Sequence, residues 1–141
     1  MSDDENARLL RTMKTLAKKR DEPSRKAVYM ALLSATLYVP TEADPDQPDE
    51  TRFSQDEPLH GRSVYVAFTS LSDLKRWQPE GTSHTTMQGR ELFPILAQSE
   101  LGSCLINPLG DIRGELYQHE VEMLSDAVDK LKAWRAGSAM N

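Results

Sequence analysis

The chain has 141 residues, of which 38% are apolar and 28% charged, a composition typical of one globular domain with its own core. Its formal net charge of −5 argues against a general nucleic-acid-binding protein, which needs a basic face. The longest uncharged run, residues 27–41, is shorter than the roughly 20 residues of a membrane-spanning helix. We therefore expect neither a nucleic-acid partner nor a membrane span.

Charge and cysteine content bear on location and chemistry. Residues 1–39 carry eight Lys or Arg against five Asp or Glu, whereas residues 40–62 carry two against seven. The single cysteine, Cys104, excludes an internal disulfide and favours a reducing compartment. The acidic N-terminal sequence lacks the apolar region of a secretory signal peptide. These features predict a cytoplasmic protein.

Residues 1–35 are predicted to form a helical lead-in. Leu9, Met13 and Leu16 recur at helical spacing and predict an amphipathic helix over residues 3–20. An acidic Pro-Ser sequence at residues 21–24 predicts the start of a second helix, because proline is tolerated in a first turn. The basic end of the first helix is interpreted as solvated, with a homodimer surface as the alternative.

A strand is predicted at residues 37–39, stopped by Pro40, and residues 41–62 are then predicted to form a mobile acidic loop. This segment contains three prolines and seven acidic residues and lacks the apolar area that would offset the entropy cost of ordering. Its acidic residues do not follow the spacing of a calcium-binding loop, so we expect no metal there.

The next segment predicts a strand followed by a short helix. Residues 63–69 have the strongest β-propensity in the chain. Ser70 is a natural N-cap, and Asp73 stands at the position of a capping-box acid. Leu71, Leu74 and Trp77 are predicted to face inward from this helix.

Residues 83–115 predict a strand, a helix, a second strand, an Asn-Pro turn and a third strand. Gly102 is predicted to stop the helix, and Pro94 to lie within its first turn. The apolar run 103–106 predicts a strand buried on both faces, in which Cys104 is a structural residue.

Residues 118–135 predict a final helix, and residues 137–141 a frayed tail. An apolar stripe at spacings of three and four is expected to face the core without interruption, and it consists of Val121, Leu124, Val128 and Leu131.

The sequence has no local signature of catalysis or of a cofactor. Its histidines, at positions 60, 84 and 119, are isolated from one another and from Cys104. His84 with Ser83, Asp111 or Cys104 offers the residue types of a nucleophile site, but no strained elbow or oxyanion loop accompanies them. We expect no catalytic residues, no cofactor, no metal and no enzymatic activity.

The order of several short motifs resembles the SseB-like family, the N-terminal domain of enhanced serine sensitivity protein SseB. The motifs follow a helical lead-in and span residues 32–131; they are Leu37-Tyr38-Val39-Pro40, Ala67-Phe68-Thr69-Ser70 with Leu74 and Trp77, and Leu105-Ile106-Asn107-Pro108. The resemblance implies a small bacterial α/β domain without assigned catalytic residues.

We therefore predict a single α/β (α+β) domain with a central mixed sheet of about five strands and helices packed on it. The leading hypothesis is a non-catalytic protein-interaction module, an adaptor or regulator of a bacterial secretion or other multiprotein machine. Its partner-binding residues are predicted where strand ends and loops gather, namely at Phe68, Thr69, Ser70, Trp77 and Asn107. The alternatives are a small-molecule sensor or enzyme with a pocket at the strand ends, and an immunity-type protein that blocks a toxin through its acidic loop.

Overall fold

The computed structural model describes residues 2–99 and 101–139, and within these ranges it contains five helices and seven strands. The helices are α1 (Ser2–Lys19), α2 (Glu22–Ser34), α3 (Leu71–Trp77), α4 (Gly89–Ala97) and α5 (Gln118–Ala139). The strands are β1 (Thr36–Ala43), β2 (Thr51–Phe53), β3 (Gln55–Leu59), β4 (Arg62–Ala67), β5 (His84–Gln88), β6 (Leu101–Ile106) and β7 (Gly114–Tyr117). The α+β class is confirmed.

Local signals position the first two helices as predicted. Leu9 and Met13 on α1 are buried in the core. Asp21 caps α2, since its carboxylate accepts a hydrogen bond of 2.9 Å from the Ser24 backbone N–H. Arg20 has a positive φ of 52°, so the chain reverses between the two helices over very few residues.

The strands form two sheets instead of one central sheet of about five strands. One sheet has the order β2-β1-β5 and is antiparallel throughout; the other has the order β3-β4-β6-β7 and is mixed, because only β4 and β6 are parallel. A bridge between Tyr38 and Phe68 joins them. Beyond Ala67, where β4 ends, the chain pairs with β1 only at this one bridge. The two sheets therefore do not merge into one ladder.

The prediction of a loop over residues 41–62 is wrong for most of that segment. β1 continues through Pro40 to Ala43, and β2 and β3 follow within the acidic sequence. These strands are mostly exposed on both faces, so they lack the alternation of apolar and polar residues that signals a strand. Cross-strand contacts hold them instead, including an ion pair of 3.0 Å between Arg52 and Glu42, which are register partners.

The predicted strand–helix–strand–turn–strand order of residues 83–115 is confirmed. Gly102 does not stop the helix: α4 ends at Ala97, and Gly102 lies in β6, where a Cβ would come within 2.8 Å of the Arg62 side chain. Pro94 is the sixth residue of α4 and not part of its first turn, because the helix begins at Gly89. A Cβ on Gly89 would lie 1.9 Å from the Leu32 carbonyl oxygen, which explains why α4 starts with glycine.

The core ends before the last helix does. Val121, Leu124 and Val128 are buried, but Leu131, the next residue of the predicted stripe, is 44% exposed. The expectation of an uninterrupted core-facing stripe is therefore wrong at its C-terminal end. α5 continues to Ala139, and the rest of the predicted frayed tail, residues 140–141, lies outside the described residues.

Candidate functional site

Two of the five predicted binding residues form a buried polar pair at the ends of β4 and β6. The Thr69 backbone N–H donates to Asn107 Oδ1 at 3.0 Å, and Asn107 Nδ2 donates to Thr69 Oγ1 at 2.9 Å. Thr69 is 4% exposed and Asn107 2%. Asn107 has a left-handed φ of 51°, a conformation that asparagine tolerates better than most residues. This pair fixes the relative position of the two strand ends.

Asn6 of α1 extends the pair into a three-residue polar cluster. Its Nδ2 donates to the Thr69 carbonyl at 2.7 Å and to the Thr36 carbonyl at 3.0 Å. The cluster therefore connects α1, the start of β1 and the strand ends of the mixed sheet. Asn6 Oδ1 is buried and has no hydrogen-bond partner within the described part of the chain.

Of the other three predicted residues, Phe68 lies in the core, whereas Ser70 and Trp77 are partly exposed. Phe68 is fully buried, and its ring centroid lies 5.7 Å from that of Trp77. Ser70 caps α3, because its Oγ accepts a hydrogen bond of 3.1 Å from the Asp73 backbone N–H. Trp77, at the end of this helix, is half-buried. Of the five residues, Trp77 presents a large side chain to a surface groove.

We call this surface the Trp77 groove. It encloses about 590 Å³ between the end of α3, the segment before β5, and the acidic strands β1 and β3. Its lining residues combine one aromatic ring with carboxylates and small polar groups; they are Glu42, Ser54, Gln55, Asp56, Glu57, Pro58, Trp77, Gln78, Gly81 and Thr82. No basic side chain lines the groove among the residues that the structure describes.

The sequence predicts Trp77 and the acidic residues as parts of different sites: Trp77 in the partner-binding surface, and the acidic residues in the loop of the alternative, toxin-blocking function. The two meet because β1 extends past Pro40 and because the Ser54 backbone N–H donates to the Pro40 carbonyl at 2.8 Å, which turns the chain from β2 into β3. The signal available beforehand was the concentration of acidic residues itself.

A second concavity, which we call the Tyr29 cavity, lies between α1, α2 and β7. It has a volume of about 180 Å³ and a mostly apolar lining; the lining residues are Met13, Leu16, Ala17, Arg25, Val28, Tyr29, Leu32, Ile106, Arg113, Gly114, Glu115, Leu116 and Glu120. The Tyr29 hydroxyl donates to Glu120 Oε2. Burial and the Glu120 carboxylate raise the pKa of Tyr29 above its usual value, so the hydroxyl keeps its proton.

A family model described as the SseB protein N-terminal domain matches residues 9–123. The chain belongs to the SseB family. The region of the SseB domain match contains both the Trp77 groove and most of the fold, whereas the last turns of α5, from Leu124 onward, lie outside it. Neither a search of the curated proteins nor a search of the solved structures finds a match to the chain.

Cys104 and His84, which were considered for a nucleophile site, lie in different sheets of this SseB domain. Cys104 is fully buried in β6, and burial raises its pKa to about 12, which fits the structural role predicted for it. His84 lies in β5 of the other sheet, with its ring 5.7 Å from that of Tyr38. Within residues 2–99 and 101–139 no three His, Cys, Asp or Glu side chains are placed to hold a metal ion.

The helices also bear on membrane association. None of the described helices is long and apolar enough to cross a bilayer.

Proposed function

We propose that this SseB-family chain is a non-catalytic protein-interaction module, an adaptor or regulator of a bacterial multiprotein machine such as a secretion system. Its docking surface is the Trp77 groove, and the partner is a protein that contributes a basic segment. One observation supports this proposal most directly: the fold brings a half-buried tryptophan together with three carboxylates, those of Glu42, Asp56 and Glu57.

The chemistry of the groove fits lysine and arginine side chains. Carboxylates form charge-assisted hydrogen bonds with ammonium and guanidinium groups. The face of an indole ring attracts the same cations, and tryptophan is the strongest of the aromatic residues in this respect. Glu42 already forms an ion pair with Arg52 across the β1–β2 ladder. Asp56 and Glu57 are therefore the carboxylates most available to a partner.

The buried residues of the predicted site support the groove indirectly. Thr69 and Asn107 hold the end of β4, and Ser70, which follows directly, starts α3. Phe68 lies under the indole of Trp77. These residues therefore position Trp77, and we assign the contact with the partner to Trp77 and the acidic strands.

The experiment is affinity capture from the native cell, with the captured proteins identified by mass spectrometry. The test variant is Asp56→Asn/Glu57→Gln, which removes two charges; the new Asn Oδ1 still accepts the hydrogen bond that Asp56 receives from the Glu57 N–H. The matched control is Asp126→Asn/Asp129→Asn, which removes two charges from exposed positions of α5 outside the groove.

We expect recovery of the partner to fall at least about tenfold with the groove variant and to stay unchanged with the control, which corresponds to about 1.4 kcal/mol of binding free energy. A synthetic peptide of the partner's most basic segment should bind in calorimetry and weaken as salt is raised. Equal recovery by both variants would refute the assignment of the docking surface to the Trp77 groove.

The Tyr29 cavity favours a second candidate function, that of a small-molecule sensor. Its mostly apolar lining and its volume of about 180 Å³ suit an apolar ligand of about the size of benzene. This cavity lies between helices and β7, not around Trp77. In a thermal-shift screen of metabolites, a ligand of the cavity should stabilise the wild type and the control Thr15→Trp but not Ala17→Trp, which fills its rim; equal stabilisation of all three proteins would exclude the cavity.

A further inference from the structure

A groove on the helical side of the molecule has an apolar and basic lining, whereas the lining of the Trp77 groove is acidic. It has a volume of about 450 Å³ and is formed by the end of α2, the start of α4 and the last turns of α5. Its apolar residues are Met30, Leu33, Val128 and Leu131. We call it the α2–α5 groove.

This groove has exposed apolar side chains in and beside its lining. Met30 is 61% exposed and Leu131 44%, and nearby Trp134 on α5 is 68% exposed. The apolar stripe of α5 continues through Leu131 although its buried part ends at Val128, so Leu131 is left partly exposed in the wall of the groove. Clustered exposed apolar side chains of this kind mark interaction surfaces.

The charges around the groove identify the chemistry of its occupant. Its three charged lining residues, Arg90, Lys132 and Arg135, are all basic, and no acidic side chain of the described residues lines it. This is notable in a chain of net charge −5. A complementary partner presents apolar side chains to the floor and carboxylates to the rim.

We infer that the α2–α5 groove binds an amphipathic helix of a partner protein, with apolar residues at i, i+3, i+4 and i+7 and flanking Asp or Glu residues. The walls are helices and no strand edge lines the groove among the described elements, so a helix laid in the groove is the recognition mode that fits. A concave groove between helices accommodates a single helix, whereas a membrane presents a broad, flat surface. This inference does not depend on the Trp77 groove.

The test is a selection from a displayed library of randomised helical peptides of about 16 residues, each about 24 Å long, against the full chain. Enriched peptides are then measured by fluorescence anisotropy against Leu131→Glu and against Lys132→Glu/Arg135→Glu. The matched controls are Leu109→Glu, at another exposed leucine, and Lys14→Glu/Lys18→Glu, at exposed positions of α1.

We expect enrichment of peptides with the stated apolar spacing and acidic flanks, with affinity reduced at least tenfold by both test variants and unchanged by both controls. Failure to enrich any helical peptide, or equal binding to the test variants, would overturn the inference. So would a dimer in analytical ultracentrifugation that is lost in Leu131→Glu, since a second copy would then occupy the groove. Cosedimentation with phosphatidylserine vesicles that Leu131→Glu abolishes would overturn it in favour of a membrane.

Discussion

The Trp77 groove and the α2–α5 groove lie at opposite ends of the same pair of strands. β1 starts beside the end of α2 and runs eight residues to Ala43, next to the acidic groove, while β5 runs the other way into α4. Eight residues of strand span about 25 Å. One end, which we call the acidic end, carries three carboxylates around an indole. The other, the basic end, carries three basic side chains around aliphatic residues.

This difference shows that a net charge describes the molecule poorly. The value of −5 predicts a uniform preference for cationic partners, but the two ends favour partners of opposite charge. A separation of about 25 Å is roughly three Debye lengths at physiological ionic strength, so charges at one end scarcely affect binding at the other. Each end should therefore respond independently to mutation.

The largest effect is expected from Gly89→Ala, which disrupts the basic end. The added Cβ would lie 1.9 Å from the Leu32 carbonyl oxygen, so α4 must move away from α2, at a cost of about 3 kcal/mol. Urea denaturation should show this loss. Gly114→Ala is the control, because its Cβ meets the flexible end of Met13 at 3.0 Å, and it should cost under about 1 kcal/mol. Equal losses would contradict the close-packing role of Gly89.

Asn107→Ala should have the next largest effect and act on the connection between the ends of β4 and β6. It leaves the buried Thr69 backbone N–H without its acceptor and places alanine at a left-handed φ, at a cost of about 2 to 3 kcal/mol. This cost is measured as the decrease in the free energy of unfolding between the wild type and the variant in urea titration. Because Thr69 directly precedes the cap of α3, hydrogen exchange should quicken in α3 more than in α2; a uniform increase would argue against this local role.

Ser70→Ala should have a smaller effect, confined to the acidic end. It removes the side-chain cap of α3 at the Asp73 N–H and should cost about 1 kcal/mol. Since α3 presents Trp77, binding to the Trp77 groove should weaken while binding to the α2–α5 groove stays unchanged. Measuring both affinities on the same variant tests the independence of the two ends.

The smallest effect concerns Asp21, which caps the helix leading to the basic end. Hydrogen bonds from Ser24 lower the pKa of the Asp21 carboxyl below its ordinary value of 3.8. A carboxylate with a lowered folded-state pKa adds stability above its unfolded pKa, and this stability is lost as the pH falls through the folded-state pKa. Asp21→Asn keeps an acceptor that does not titrate, so its unfolding midpoint should change less between neutral pH and acid; identical pH profiles would contradict the capping role.

Sequence patterns predicted the elements whose signals are local. Both N-terminal helices, the cap at Ser70 and the order of elements in residues 83–115 follow from spacing, capping residues and turn pairs. β2 and β3 were missed because exposed strands are held by cross-strand partners such as Arg52 and Glu42, and this pairing leaves no periodic signal in either strand alone.

The candidate site was predicted only in part. Trp77 was predicted as a binding residue and lines the candidate groove, but the carboxylates that line it as well depend on the register of β1, β2 and β3, which is a long-range property. The exposure of Leu131 was missed for a related reason: helical spacing shows which face of α5 is apolar, but not where the neighbouring elements end.

The burial of Cys104 gives the protein an internal reporter. A thiol reagent attacks only an exposed thiolate, and this single cysteine lies fully buried in β6 with its pKa raised to about 12. Labelling must therefore wait for an opening of the core that packs on β6. The labelling rate of the unmodified protein measures how often this core opens, and a partner at either end that rigidifies it would slow the reaction without touching the cysteine.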